Sequence, residues 1–140
     1  MQFSSSRFGE IEVEDDKIIS FPRGLTGFEA LKRYCLLDTD KAVKWLQAID
    51  APEIAFSLVD PFVMFTDYSF TAVDEVEEFL ECKKVEDLLV LVVATITGKD
   101  MSVNLRAPIV INTSNMKAAQ LMIIDERVPS KVVLPNPAQR

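Results

Sequence analysis

The chain has 140 residues, 49% of them apolar, with 22 acidic side chains against 15 basic ones, a net charge of −7 and no histidine. A globule of this length buries roughly 70% of the surface its unfolded chain exposes, so one domain can fold without staples, and the apolar content excludes disorder. Without histidine there is no Ser/His/Asp or Cys/His nucleophile pair and no histidine metal ligand, and the acidic balance argues against nucleic acid, whose binding needs Lys and Arg against phosphate.

A basic macromolecular partner suits this charge better, and no metal or organic cofactor is expected. The longest apolar run, residues 88–94, is far shorter than the ~20 residues of a spanning helix. The first residues lack the basic-then-apolar pattern of a secretory signal, which points to the cytoplasm. Two cysteines, Cys35 and Cys82, do not make a disulfide framework, and each is expected to be reduced and structural.

In chain order, Glu10-Ile11-Glu12-Val13-Glu14 alternates polar and apolar residues, the period of a half-buried strand. Asp15-Asp16 is expected to turn it into a hairpin with residues 17–21. The loop Phe21-Pro22-Arg23-Gly24-Leu25-Thr26-Gly27 holds two of the four glycines. Glycine reaches backbone angles that other residues avoid and proline fixes one, so this loop should have one defined shape. Residues 28–33 fit one helical turn, and strands are expected at 34–37, 43–48 and 55–59, with a break at Pro61.

The clearest helix spans 72–82. Val73, Val76, Phe79 and Leu80 share one face and Asp74, Glu75, Glu77, Glu78 and Glu81 the other. Thr71 three residues before Asp74 forms a capping box, and Lys83-Lys84 suit the negative end of the helix dipole. Residues 88–97 are β-branched and apolar almost throughout, as in a central strand covered on both faces. Gly98-Lys99-Asp100 then turns the chain toward strands at 101–105, 109–111 and 119–124. The prolines at 129, 135 and 137 suggest a frayed end. The pattern predicts a mainly β protein, a small antiparallel β-barrel or sandwich with one short amphipathic helix, as a single domain over 1–134 with a flexible tail at 135–140.

Several motifs have plain readings. Gly24-Leu25-Thr26-Gly27 lacks the Gly-Lys-Ser/Thr of a phosphate loop and reads as a structural turn. Asp38-Thr39-Asp40 lacks the glycine and glutamate of a calcium loop and reads as a turn. Trp45 shares a face with Val43 and Gln47, which suits a core position more than an interface. Asn104 and Asn112 bracket a strand broken by Pro108, so an edge or a bulge is expected there, open to a second chain. Over half of all acids fall into two groups, Glu10, Glu12, Glu14, Asp15 and Asp16, and the seven between Asp74 and Asp87. They read either as a solvated strand edge and helix face, or as charges that steer a basic partner.

Taken together, residues 7–11, 19–29, Leu46-Gln47, Pro52, Ala55-Phe56, Asp60-Pro61, 104–112 and Gln120 resemble the flagellar assembly factor FliW family along nearly the whole chain. Arg106 stands where that family often has lysine, and the ending Glu126-Arg127-Val128-Pro129-Ser130 lacks the tyrosine associated with it. The resemblance implies a β-barrel that binds rather than catalyses. Its implied partners are flagellin and the basic, dimeric RNA-binding regulator CsrA, which a free member sequesters, relieving repression of flagellin translation. Candidate contact residues are Glu10, Glu12, Glu14, Asp15, Asp16, Phe21, Pro22, Gly24, Gly27, Asn104, Arg106 and Pro108. A flagellin chaperone that does not recognise CsrA, and a small-molecule enzyme in a barrel, are the other readings; the latter requires a polar pocket.

Overall fold

Alternation along the strands sorts the apolar residues onto an inner and an outer face, and the inner set closes into a barrel. The computed structural model describes residues 1–38, 43–65, 68, 78–123, 125 and 127–135. In order, its strands are β1 (Gln2–Ser5), β2 (Gly9–Glu12), β3 (Ile19–Ser20), β4 (Arg33–Asp38), β5 (Lys44–Ala48), β6 (Ala55–Val59), β7 (Leu88–Thr97), β8 (Asp100–Val103), β9 (Ile109–Asn112), β10 (Lys117–Gln120) and β11 (Val132–Pro135). A helical turn, α1 (Pro61–Met64), follows β6. The ring runs β7-β6-β5-β4-β3-β10-β9 and returns to β7 through a β7–β9 pairing. All its pairs are antiparallel except β3 with β10.

Inside the ring, Ile19, Phe21, Tyr34, Leu46, Leu58, Leu91, Ile109 and Ile111 form the main core. Outside, three pieces cover the barrel. The β1–β2 arm lays Phe3 and Ile11 over Cys35, Leu37 and Ile49. The β8–β11 wing lays Met101, Val103 and Leu134 over Val59, Val92 and Ala94. A helical turn at residues 78–80 lays Phe79 and Leu80 over Val90, Val110 and Ala119.

The expected central strand at 88–97 is β7; it is covered over residues 88–94, while Thr95, Ile96 and Thr97 are exposed, so the cover on both faces holds for its first seven residues only. Its first four residues pair with β9 and its last four with β8. The strands at 34–37, 43–48 and 55–59 form as β4, β5 and β6. Pro61 does break the strand, and it also opens α1: Asp60 caps the turn by accepting from the Phe62 N–H at 2.8 Å, and proline at the first helical position loses no bond. Of the helix expected at 72–82, residues 71–77, with the Thr71/Asp74 box, lie outside the described residues; 78–80 are helical.

Four expectations are corrected. The acidic strand does not pair with residues 17–21: β2 pairs with β1, Phe3 opposite Ile11, because the N-terminal Phe3/Ser5 alternation offers an apolar face that 17–21 commit to the barrel. Residues 28–33 form no helical turn: 29–30 are a turn, Arg33 already belongs to β4, and Phe28 and Leu31 pack onto the barrel core. The strand expected at 119–124 is β10, Lys117–Gln120, set by its register with β9. Residues 109–112 are not an edge, because β9 lies between β7 and β10; Pro108 sits before the strand, where its missing N–H costs no ladder bond. At the chain end β11 pairs with β8 up to Pro135, on the outer edge where proline is tolerated, while Pro137 lies outside the described residues.

Both cysteines are free, Cys35 buried and Cys82 half-buried. Burial pushes the Cys35 thiol up to about 11, so little of the reactive thiolate forms at neutral pH. Titration of the native protein with a thiol reagent should modify Cys82 within minutes and Cys35 only after denaturation. Equal rates at both would show that the β1–β2 arm does not stay closed over Cys35.

Candidate functional site

Two surface features can meet a partner: the acidic arm and the mouth of the barrel. In the arm, strand alternation turns Ile11 and Phe3 inward and leaves Glu10 and Glu12 on the outer face, opposite Ser4 and Gln2. Glu14, Asp15 and Asp16 follow on an exposed turn of 3-10 helix. Ser4 donates to Glu10 at 2.7 Å, and the terminal ammonium lies 3.3 Å from Glu12 and 3.8 Å from Asp15. These exposed contacts add little stability, and one ammonium against Glu12 and Asp15 leaves the five predicted acids a solvated group of net negative charge.

Of the second acidic group, Asp74, Glu75 and Glu77 lie outside the described residues, and Glu81 is held in a separate clamp. Glu81 lies 3.8 Å from Lys117 and occupies the left-handed region at φ 56° after the helical turn. The Leu80 carbonyl before it accepts from the side-chain amides of Asn112 at 2.8 Å and Asn115 at 3.0 Å. Asn112 is fully buried, and its oxygen accepts from the backbone and hydroxyl of Ser114. Its task is to tie the helical turn to the β9–β10 hairpin. The Phe79 ring carries Arg23 at 4.3 Å and Lys117 at 4.8 Å, which joins the front loop to the same clamp.

At the mouth, the two predicted loop motifs come together. The front loop is closed by Gly24 N–H to Phe21 carbonyl at 2.9 Å and Phe28 N–H to Leu25 carbonyl at 2.7 Å. Its Thr26 N–H donates 2.9 Å to the Gln120 side chain. The back loop is held by Arg106, whose guanidinium reaches the carbonyls of Val128 at 2.7 Å and Asp125 at 3.3 Å. A planar fork spans two carbonyls, whereas an ammonium is a point donor. A depression of about 560 Å³ lies between them, lined by Leu25, Thr26, Asn104, Ala107, Gln120 and Met122 among others. Met122 is 69% exposed.

The predicted site residues therefore divide by position. Glu10, Glu12, Glu14, Asp15, Asp16, Pro22, Gly27 and Asn104 are exposed, and Arg106 is half-buried. Phe21, Gly24 and Pro108 are buried. Phe21 packs edge-on against Tyr34 with ring centroids 5.1 Å apart. Trp45, expected in the core, is half-buried and carries Arg7 at 4.2 Å and Phe8 at 5.8 Å on its ring. Gln120 and Met122 were not singled out for the mouth; only the Leu25/Thr26 approach to β10 reveals them, a long-range contact without local signal.

A closed ring of short strands, with a charged arm outside and a shallow mouth at one end, defines a small β-barrel. The family model described as FliW protein matches residues 2–134, and the chain belongs to the FliW family. A flagellar assembly factor FliW from Caldanaerobacter subterraneus subsp. tengcongensis is 36% identical over 132 residues, covering 91% of this chain and 88% of that one. One from Alkaliphilus metalliredigens is 39% identical over 131 residues, covering 90% and 81%. A crystal structure of the flagellar assembly factor FliW superposes with a TM-score of 0.89 at 28% identity, over 94% of this chain and 95% of that one.

Proposed function

We propose that this chain is a non-enzymatic regulator of flagellar assembly in the cytoplasm, which binds flagellin and, when flagellin is absent, binds and sequesters the translational repressor CsrA. Family membership supports the flagellar part. The acidic face of the β1–β2 arm supports a basic second partner, and is the observation that carries the CsrA part: five acids on one solvated surface raise the encounter rate of a positive molecule. Two partners drawing on one pool make the output a matter of linkage, since each lowers the free protein left for the other.

Reversal of Glu10, Glu12, Asp15 and Asp16 to Lys should slow association with CsrA by about tenfold at low salt, flatten its salt dependence and leave dissociation almost unchanged. None of these side chains is in the core, so stability should hold. Association at the wild-type rate and salt slope would reduce the arm to a solvated surface. Capture of flagellin without CsrA in the same assay would leave a dedicated flagellin chaperone.

A further inference from the structure

The β6–β7 ladder stops early. It pairs Val59 with Val92, Leu58 with Val93 and Ser57 with Ala94, and goes no further. Yet β6 begins at Ala55 and β7 continues to Thr97. Ala55 and Phe56 stay paired to β5, and residues 95–97 stay paired to β8. The two strands thus part like a V, with an inner edge on each arm. At the apex the buried Ser57 hydroxyl donates to the Ala94 carbonyl.

Two depressions meet at this notch and share Phe56, Val93 and Thr95 in their walls. One is the mouth; the other, about 430 Å³, adds Arg7, Trp45 and Ile96. Among the described residues no carboxylate lines either, in a chain with seven more acids than bases. Each instead has one cation, Arg7 or Lys131. The Arg7 guanidinium is preorganised on the Trp45 ring and has no ion-pair partner among the described residues, so its donors are available for a carboxylate.

We propose that the notch is a docking site for an extended peptide segment whose apolar side chains are flanked by aspartate or glutamate. The segment adds as a short strand against the parted edges of β6 and β7, its apolar side chains meet Trp45, Phe56 and Ile96, and its carboxylates meet Arg7 and Lys131. This goes beyond the acidic arm, takes the opposite charge, and does not depend on CsrA or flagellin being partners.

A random peptide library displayed on phage and selected on the purified full chain tests it. The enriched sequences should share an apolar centre with acidic flanks. Synthetic copies should lose at least about tenfold in affinity toward the Arg7→Glu, Lys131→Glu double variant and toward Ile96→Glu, all at exposed positions, with melting temperatures close to wild type. Methylation of alternate peptide amides should abolish binding in one register and spare it in the other, as for an added strand. No enrichment, a basic consensus, or unchanged affinity for folded variants would overturn the proposal. So would a concentration-dependent dimer of the chain that the same substitutions dissolve, which would give the notch to a second copy.

Discussion

Gln47→Leu should cost about 3 kcal/mol and lower the melting temperature by roughly 10 °C, although it exchanges one side chain for another of similar volume. Gln47 is fully buried on β5. Its amide nitrogen, with two N–H donors, lies within reach of four carbonyls, Ala48 at 3.0 Å, Ile54 at 3.1 Å, Pro52 at 3.3 Å and Ala51 at 3.4 Å, and its oxygen accepts from Ser5 at 2.8 Å. One side chain thus serves the whole turn between β5 and β6 and ties the β1–β2 arm to it. Leucine leaves the Ser5 O–H without its acceptor and takes the amide donors from these carbonyls, of which those of Ala51, Pro52 and Ile54 keep one backbone N–H each, in a place that water does not reach easily.

Gln47→Glu gives a sharper form of the test. An ionised carboxylate cannot donate, and it faces four carbonyl oxygens, so the variant should be less stable than Gln47→Leu at neutral pH. Protonation restores one donor, and stability should recover as pH falls. A variant as stable as wild type at neutral pH, by thermal melt, would mean that the turn finds its partners elsewhere.

Gln47 also shows where the sequence is legible. Local signals were sufficient wherever period and punctuation agreed: 88–97 is a β-branched run bounded by turn residues and becomes β7, and 55–59 becomes β6. They failed where partner choice was tertiary. The alternation of residues 10–14 announces a strand but cannot say that Phe3 and Ser5 present the matching edge, and Pro108 announces a break but not that β9 is then enclosed by β7 and β10. Gln47, Asn112 and Arg106 are polar residues whose partners are backbone carbonyls, distant in sequence for Asn112 and Arg106. No periodicity encodes such contacts. Gln47, Asn112 and Gln120 are among the residues that carry the family resemblance, Arg106 replaces the lysine usual there, and each holds a loop in place.

The front loop permits the largest single effect. Gly24 has φ +67°, where an L side chain is strained, and a Cβ built on it would lie 2.6 Å from the Glu29 Cα, 2.7 Å from its carbonyl oxygen and 2.9 Å from its carbonyl carbon. Those atoms are backbone and cannot swing away. Moving them would open the Leu25↔Phe28 bridge and the Thr26–Gln120 bond that shape the mouth. Gly27, three residues on, has φ +88° but nothing within 4 Å of a Cβ. Gly24→Ala should therefore cost about 4 kcal/mol, backbone strain and clash together, and Gly24→Val still more, whereas Gly27→Ala should cost only about 1 to 2 kcal/mol, the strain alone. Chemical denaturation of the two alanine variants separates the terms, since both change one hydrogen to a methyl at positive φ and only one meets backbone. Equal losses would show that Glu29 yields and that conformation, not contact, is what glycine supplies at position 24. A Gly27 variant that kept its stability but lost a partner would identify the loop tip as a contact surface rather than a brace.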